Sequence, residues 1–159
     1  MNYVKILNGA SDEGTALTES QVLEFLTSGK MNLYLGTIDE FQHPNIHPLW
    51  YVYKSQKLYF ATDASSLKLN NAKNNSKIYF CIASEKIPYT AVRGKGTIKI
   101  VNDQNIKIEL SKNLVSKYLG NFENKMAKEL MDDTSNGKVS VVEITPVYFS
   151  TSSFDSYFE

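Results

Sequence analysis

Thr62, Ser65, Ser66 and Lys68 crowd into one short stretch, residues 59–71, of sequence YFATDASSLKLNN. The apolar run through Ala61 reads as a strand that ends at Thr62. A hydroxyl-rich turn follows, and Lys68 then falls in the first turn of a helix. The first N–H groups of a helix are unpaired and carry partial positive charge, which suits a phosphate dianion. The hydroxyls of Thr62, Ser65 and Ser66 can donate to phosphate oxygens, and Lys68 can neutralise charge. Each charge-assisted hydrogen bond of this kind contributes about 1.5–3 kcal/mol. An ordinary capped helix with a solvated lysine accounts for the same residues.

A second stretch, residues 44–52, reads PNIHPLWYV. A proline at position 48 removes a ladder donor, which places this strand at a sheet edge or a bulge. Backbone groups left free there can pair with the edge of a flat heterocycle, and Trp50 can pack against its ring. The plainer alternative puts Leu49 and Trp50 in the core and His47 on the surface.

Both stretches need a scaffold. Thr18 and Gln21 form a capping box for a helix with Val22, Leu23, Phe25 and Leu26 on its apolar side, stopped by Gly29. Strands follow at 31–38, 45–53 and 57–62, read as an antiparallel meander with a tight connection at 54–56. A helix spans 64–74, with Asp63, Ser65 or Ser66 to cap it. Strands at 77–84 and 89–101 come next, the second carrying Gly94 and Gly96, the mark of a bulge or barrel bend. Two helices, from 103 to 120 and from 122 to 131, precede closing strands at 138–144 and 147–153. The pattern is one α+β domain over 1–159, mainly antiparallel β, with helices inserted between strands.

Composition narrows the function. Seventeen basic side chains balance 17 acidic ones, so net charge supplies no argument for nucleic acid or an anionic membrane. No stretch approaches the ~20 apolar residues of a membrane span, and 1–14 lacks the pattern of a secretory leader. The single cysteine, Cys81, sits in an apolar run and reads as a buried, inert thiol in a reducing compartment. The expected location is therefore the cytoplasm. The two histidines, His43 and His47, do not make a zinc site, and no glycine-rich phosphate loop or nucleophile elbow is present. So few catalytic side chains point to a cofactor as the source of the chemistry.

Taken together the segments resemble the pyridoxamine 5'-phosphate oxidase-like flavin-binding split-barrel family. The resemblance runs from about Thr18 to the end: P-x-x-x-P-x-W at 44–50, Y-F-x-T-x-x-x-S-x-K-x-x-N at 59–71, the glycine-bearing strand, and the tail-like 117–120 and 142–146. It implies a six-stranded split β-barrel with short flanking helices that forms a homodimer, with flavin mononucleotide (FMN) between subunits. On that resemblance the flavin phosphate lies on Thr62, Ser66 and Lys68, facing the backbone of Ala61 and Leu67. The ring lies along Pro48, Leu49 and Trp50, and Tyr89 aligns with a ring-contacting position. Tyr148 and Phe149 are placed to reach a partner's site. Leu67 and His47 stand where pyridoxamine phosphate oxidases proper carry arginines. The C-terminal tryptophan and arginine that hold the pyridoxal substrate are missing. The implied activity is a flavin-dependent oxidoreduction of an unidentified small molecule rather than vitamin B6 oxidation. Two alternatives share the fold. One is a deazaflavin cofactor, with Lys73 and Lys77 serving its longer anionic tail. The other is a non-catalytic flavin- or haem-binding module with His47 as axial ligand.

Overall fold

The computed structural model describes residues 3–10 and 14–159, so part of the 1–14 stretch read for a leader lies outside the described residues. The elements in order are β1 (Lys5–Asn8), α1 (Glu19–Thr27), β2 (Leu33–Ile38), β3 (Pro44–Leu49), β4 (Val52–Lys54), β5 (Lys57–Asp63), α2 (Leu67–Asn74), β6 (Ile78–Ala83), β7 (Thr90–Ile100), α3 (Gln104–Tyr118), α4 (Lys125–Asn136), β8 (Val139–Pro146) and β9 (Tyr148–Ser153). The strands form one sheet in the order β3-β2-β6-β7-β8-β5-β4, with β9 beside β7 and β1 beside β9. Among the described residues only β1–β9 is a parallel pair.

That order corrects the expected meander. The strand read at 45–53 is broken at Trp50-Tyr51, and its halves pair at opposite ends of the path, β3 with β2 and β4 with β5. Two residues cannot bridge the width of a flat sheet. The path must therefore curl until its ends meet, which makes the half-open barrel. With the breaks at 50–51 and at Val147 closed up, the expected six strands are recovered, and β1 is added to them.

Gly94 and Gly96 sit where β7 changes partner, from β9 (Thr90–Arg93) to β8 (Gly96–Ile100). A Cβ at Gly94 would collide with the Tyr148 carbonyl oxygen, and one at Gly96 would come within 2.8 Å of that of Thr145. The bend read from this glycine pair is real, and close backbone approach is its cause.

Helix limits follow their caps. Thr18 and Gln21 make the capping box, with Gln21 Oε1 accepting from the Thr18 N–H at 2.8 Å. The helix expected at 122–131 instead starts after Asn124, whose side chain accepts from the Met126 N–H. It runs through the residues read as a loop, to Gly137 at φ 85°. The buried Ser111–Thr134 hydrogen bond (2.8 Å) ties this longer helix to α3 and explains its extension. Leu33, Leu35, Leu58, Phe60, Phe80, Ile82, Val142, Ile144 and Phe149 fill the barrel, with Leu26 of α1 and Leu69 of α2 sealing it. A second cluster, Leu110, Leu114, Tyr118, Val52 and Val141, packs α3 against the outside of the sheet. No described helix is long and apolar enough to cross a membrane.

Candidate functional site

Along β5, Leu58, Phe60 and Thr62 point into the barrel while Tyr59 and Ala61 face the second cluster. Thr62 is thus the last inward residue of the strand, 8% exposed at the barrel rim. The chain then turns through Ala64 and Ser65 into α2, with Ser66 at the N-cap position but making no side-chain cap bond. Lys68 Nζ donates to Thr62 Oγ1 (3.0 Å), and Thr62 Oγ1 donates to Ser66 Oγ (3.3 Å). An ammonium has three donors, so two remain on Lys68; as the acceptor from Thr62, Ser66 keeps its own hydroxyl proton.

His47 joins them from β3. Its register partner is the core residue Leu35, so the imidazole lies on the inner side of the edge strand, contrary to a surface placement. Nε2 is buried and has no hydrogen-bond partner among the described residues. Burial, and then the nearby charge of Lys68, pull the imidazole pKa below its ordinary value. A buried polar atom without a partner costs about 1–3 kcal/mol, and an anion set between His47 and Lys68 would relieve both penalties.

The other expected residues are distributed differently. Ser65 is turned away: its hydroxyl donates to Asp63 Oδ1 (2.6 Å) and its N–H to the same oxygen (2.8 Å). Those bonds and Lys68 hold the Asp63 carboxyl below its usual range. Ala61 points to the α3 side, and Leu67 is exposed (56%), so only their backbones adjoin the turn. Pro48 is on the edge strand, as its missing donor requires, and Leu49 is buried. Trp50 stacks face to face on Tyr118, centroids 4.8 Å apart and planes 4° from parallel, so one ring face is taken by the protein. Tyr89 lies exposed before β7, at the sheet end marked by Leu33 and Leu49, away from the Thr62 cluster. Phe149 is barrel core (2% exposed) and cannot reach a partner; Tyr148, half-buried, lies on the sheet's outer side. Cys81 is half-buried rather than buried, and burial raises its thiol pKa.

Asn71, the last residue of the 59–71 motif, has a supporting role that the sequence reading did not assign. Asn71 Nδ2 donates to Thr37 Oγ1 (3.1 Å), both buried, and so docks α2 on β2. Its signal was present: Asn71 lies three residues after Lys68, on the same side of a helix. Thr62 is buried and His47, Ser66 and Lys68 are half-buried, so the cluster sits within the barrel rim rather than on the open surface.

A curled antiparallel sheet of this order is a split barrel, and its rim carries a lysine, two hydroxyls and an orphaned imidazole. The family model described as Pyridoxamine 5'-phosphate oxidase matches residues 18–152, and the chain belongs to that family. No curated protein matches it. Among solved structures it is similar to a conserved hypothetical protein of Mycobacterium tuberculosis (18% identity, 94% of this chain and 92% of that one, TM-score 0.78). It is also similar to an FAD-binding protein of Mesorhizobium loti (14%, 88% and 97%, 0.65) and to an F420 reductase (20%, 80% and 94%, 0.63). At these identities the likeness is one of fold.

Proposed function

We propose that the chain binds a flavin, FMN, and uses it for oxidoreduction of a small molecule, as a homodimer with each flavin between subunits. The observation that carries this reading is the buried, unpartnered Nε2 of His47 next to the Lys68–Thr62–Ser66 chain. Four groups that can donate to, or neutralise, a phosphate converge there, and only Lys68 brings a fixed charge. Lys68 would neutralise the phosphate, Ser66 and His47 would donate to it, and Thr62 would hold Lys68 in place. The backbone of β3 at Pro48–Trp50 would lie along the ring. A bound flavin would supply the hydride transfer, a chemistry that asks little of the side chains. Family membership and the FAD-binding relative support a flavin-type cofactor.

The deazaflavin alternative needs a basic groove beyond the phosphate. Lys73 and Lys77 are exposed, but the cleft bordering Leu67 carries Asp39 and Glu40 together with four asparagines. That lining opposes an anionic tail.

The test is the visible spectrum of purified protein with and without added FMN, followed by competition with the deazaflavin. Stoichiometric uptake of FMN, and its reduction by a nicotinamide donor, is the expected result. A colourless protein that takes up no flavin refutes the reading, and uptake without reduction leaves a binding module.

A further inference from the structure

Within the motif at 117–120, Lys117 makes contacts that the proposed flavin site does not use. It lines a cleft of about 630 Å³ between the end of α1, β4 and α3, together with Lys30, Lys54, Asn113 and Ser116. We propose that this cleft is a second binding site, for a small organic phosphate, organised around the Lys117 ammonium. The proposal stands independently of the flavin reading.

Among the described residues three ammonium groups line the cleft and no carboxylate does. The nearest acid in the hydrogen-bond network, Glu109, pairs with Lys54 from outside the lining. Lys117 has no ion-pair partner among the described residues. Its Nζ instead donates to the Tyr51 carbonyl (3.0 Å) and sits 3.7 Å from the centroid of the Tyr51 ring and 5.2 Å from that of Tyr118. A carbonyl and two π faces fix the ammonium without neutralising it. Burial, uncompensated by an anion, lowers its pKa to about 8. Of its three donors one is used, and Asn113 and Ser116, within one turn on α3, add an amide and a hydroxyl.

The obvious structural role, neutralising the C-terminal end of α1, does not account for this geometry. Leu26 O there accepts from the Tyr51 hydroxyl (2.9 Å), and Glu24 O from the Ser28 N–H (2.9 Å). The volume lies within the usual range for small-molecule sites and suits a phosphorylated metabolite rather than a bare ion. Lysines are point-charge phosphate binders, which favours a phosphate over a single carboxylate.

The test is a titration of the Lys68→Ala protein with glycerol 3-phosphate, using glycerol as control, followed by NMR of labelled lysine side chains. Removing Lys68 keeps the proposed flavin-phosphate site from competing. The expected result is saturable binding that shifts the Lys117 signals, raises its pKa from about 8, and weakens as salt rises. Adding Lys117→Met, which keeps the length of the stem but removes the ammonium and its bond to the Tyr51 carbonyl, is expected to weaken binding at least about tenfold. Should that variant not fold, the pair Lys30→Gln, Lys54→Gln leaves Lys117 in place and must weaken binding as well. An unmoved Lys117 signal, or equal affinity in the Lys-substituted proteins, overturns the proposal.

Discussion

Lys68 brings the fixed positive charge of the rim, and His47 adds a second only when its imidazole is protonated. Each raises the electrostatic cost of the other, so the unliganded pair is mutually repulsive whenever His47 is protonated. An arriving dianion reverses the sign. Lys68→Ala is therefore expected to weaken FMN binding by about 1.5–3 kcal/mol, with the deficit shrinking as salt rises; calorimetry at two ionic strengths measures it. Affinity that is the same in both proteins at low salt would remove Lys68 from the site. The depressed pKa of His47 gives a second expectation. The unfolded chain takes up this proton near the ordinary value of 6.5, whereas the folded apoprotein resists it until lower pH. The contribution is thus fully present above 6.5 and is lost as pH falls through the folded pKa. In thermal melts His47→Gln is expected to flatten this acid-side decline. FMN affinity is expected to move the other way and rise across the same window, because the imidazolium is the better phosphate partner.

Among the elements, α2 is the one whose placement the site depends on, and its anchor is the Asn71–Thr37 hydrogen bond. Asn71→Ala leaves the Thr37 hydroxyl buried and unpaired, an expected loss of about 1–3 kcal/mol in urea denaturation. Because α2 carries Lys68, FMN affinity should fall with it; a variant that loses stability yet binds FMN unchanged would show that the anchor does not position the lysine. Gly94→Ala tests the barrel bend directly, since the new methyl meets the Tyr148 carbonyl. A fall of several degrees in Tm is expected, read by calorimetry. The bend, the capping box, the edge position of Pro48 and the hydroxyl turn were all legible in the sequence, because each is set by a local rule. Proline lacks a donor, glycine admits close approach, and Thr-x-x-Gln closes a cap. The path β3-β2…β5-β4 was not legible. The chain around Trp50 keeps the composition of a continuous strand, and only barrel closure decides that it must break. β1 was missed for the same reason: four residues whose partner, β9, lies at the far end of the chain give no local signal. In the site, Ser65 was misplaced because an Asp two residues earlier competes for its hydroxyl. His47 could not be assigned to the barrel interior until its register with Leu35 was known.

At the scale of the whole molecule, the proposed homodimer makes a prediction for the outer side of the sheet. Register sets Ile46 beside Gly36 and Gly36 beside Tyr79, with Pro48, Tyr34 and Cys81 forming the next row. Ile46 is 70% exposed and Tyr79 42%, and Gly36 between them leaves the surface low enough for another sheet to approach. The patch is built partly from the strand that carries His47, so whatever covers Ile46 and Pro48 also closes off the edge where the proposed flavin ring would lie. Placing a carboxylate in the middle of such an interface leaves it desolvated and unpaired. Ile46→Glu is exposed in the monomer, so it should leave the fold intact by circular dichroism while shifting the mass seen by light scattering from two chains to one. FMN affinity should fall in the same variant, although none of the phosphate-facing groups has changed. A variant that stays dimeric would place the interface elsewhere, and a monomer that retains full FMN affinity would show that one chain suffices for the site.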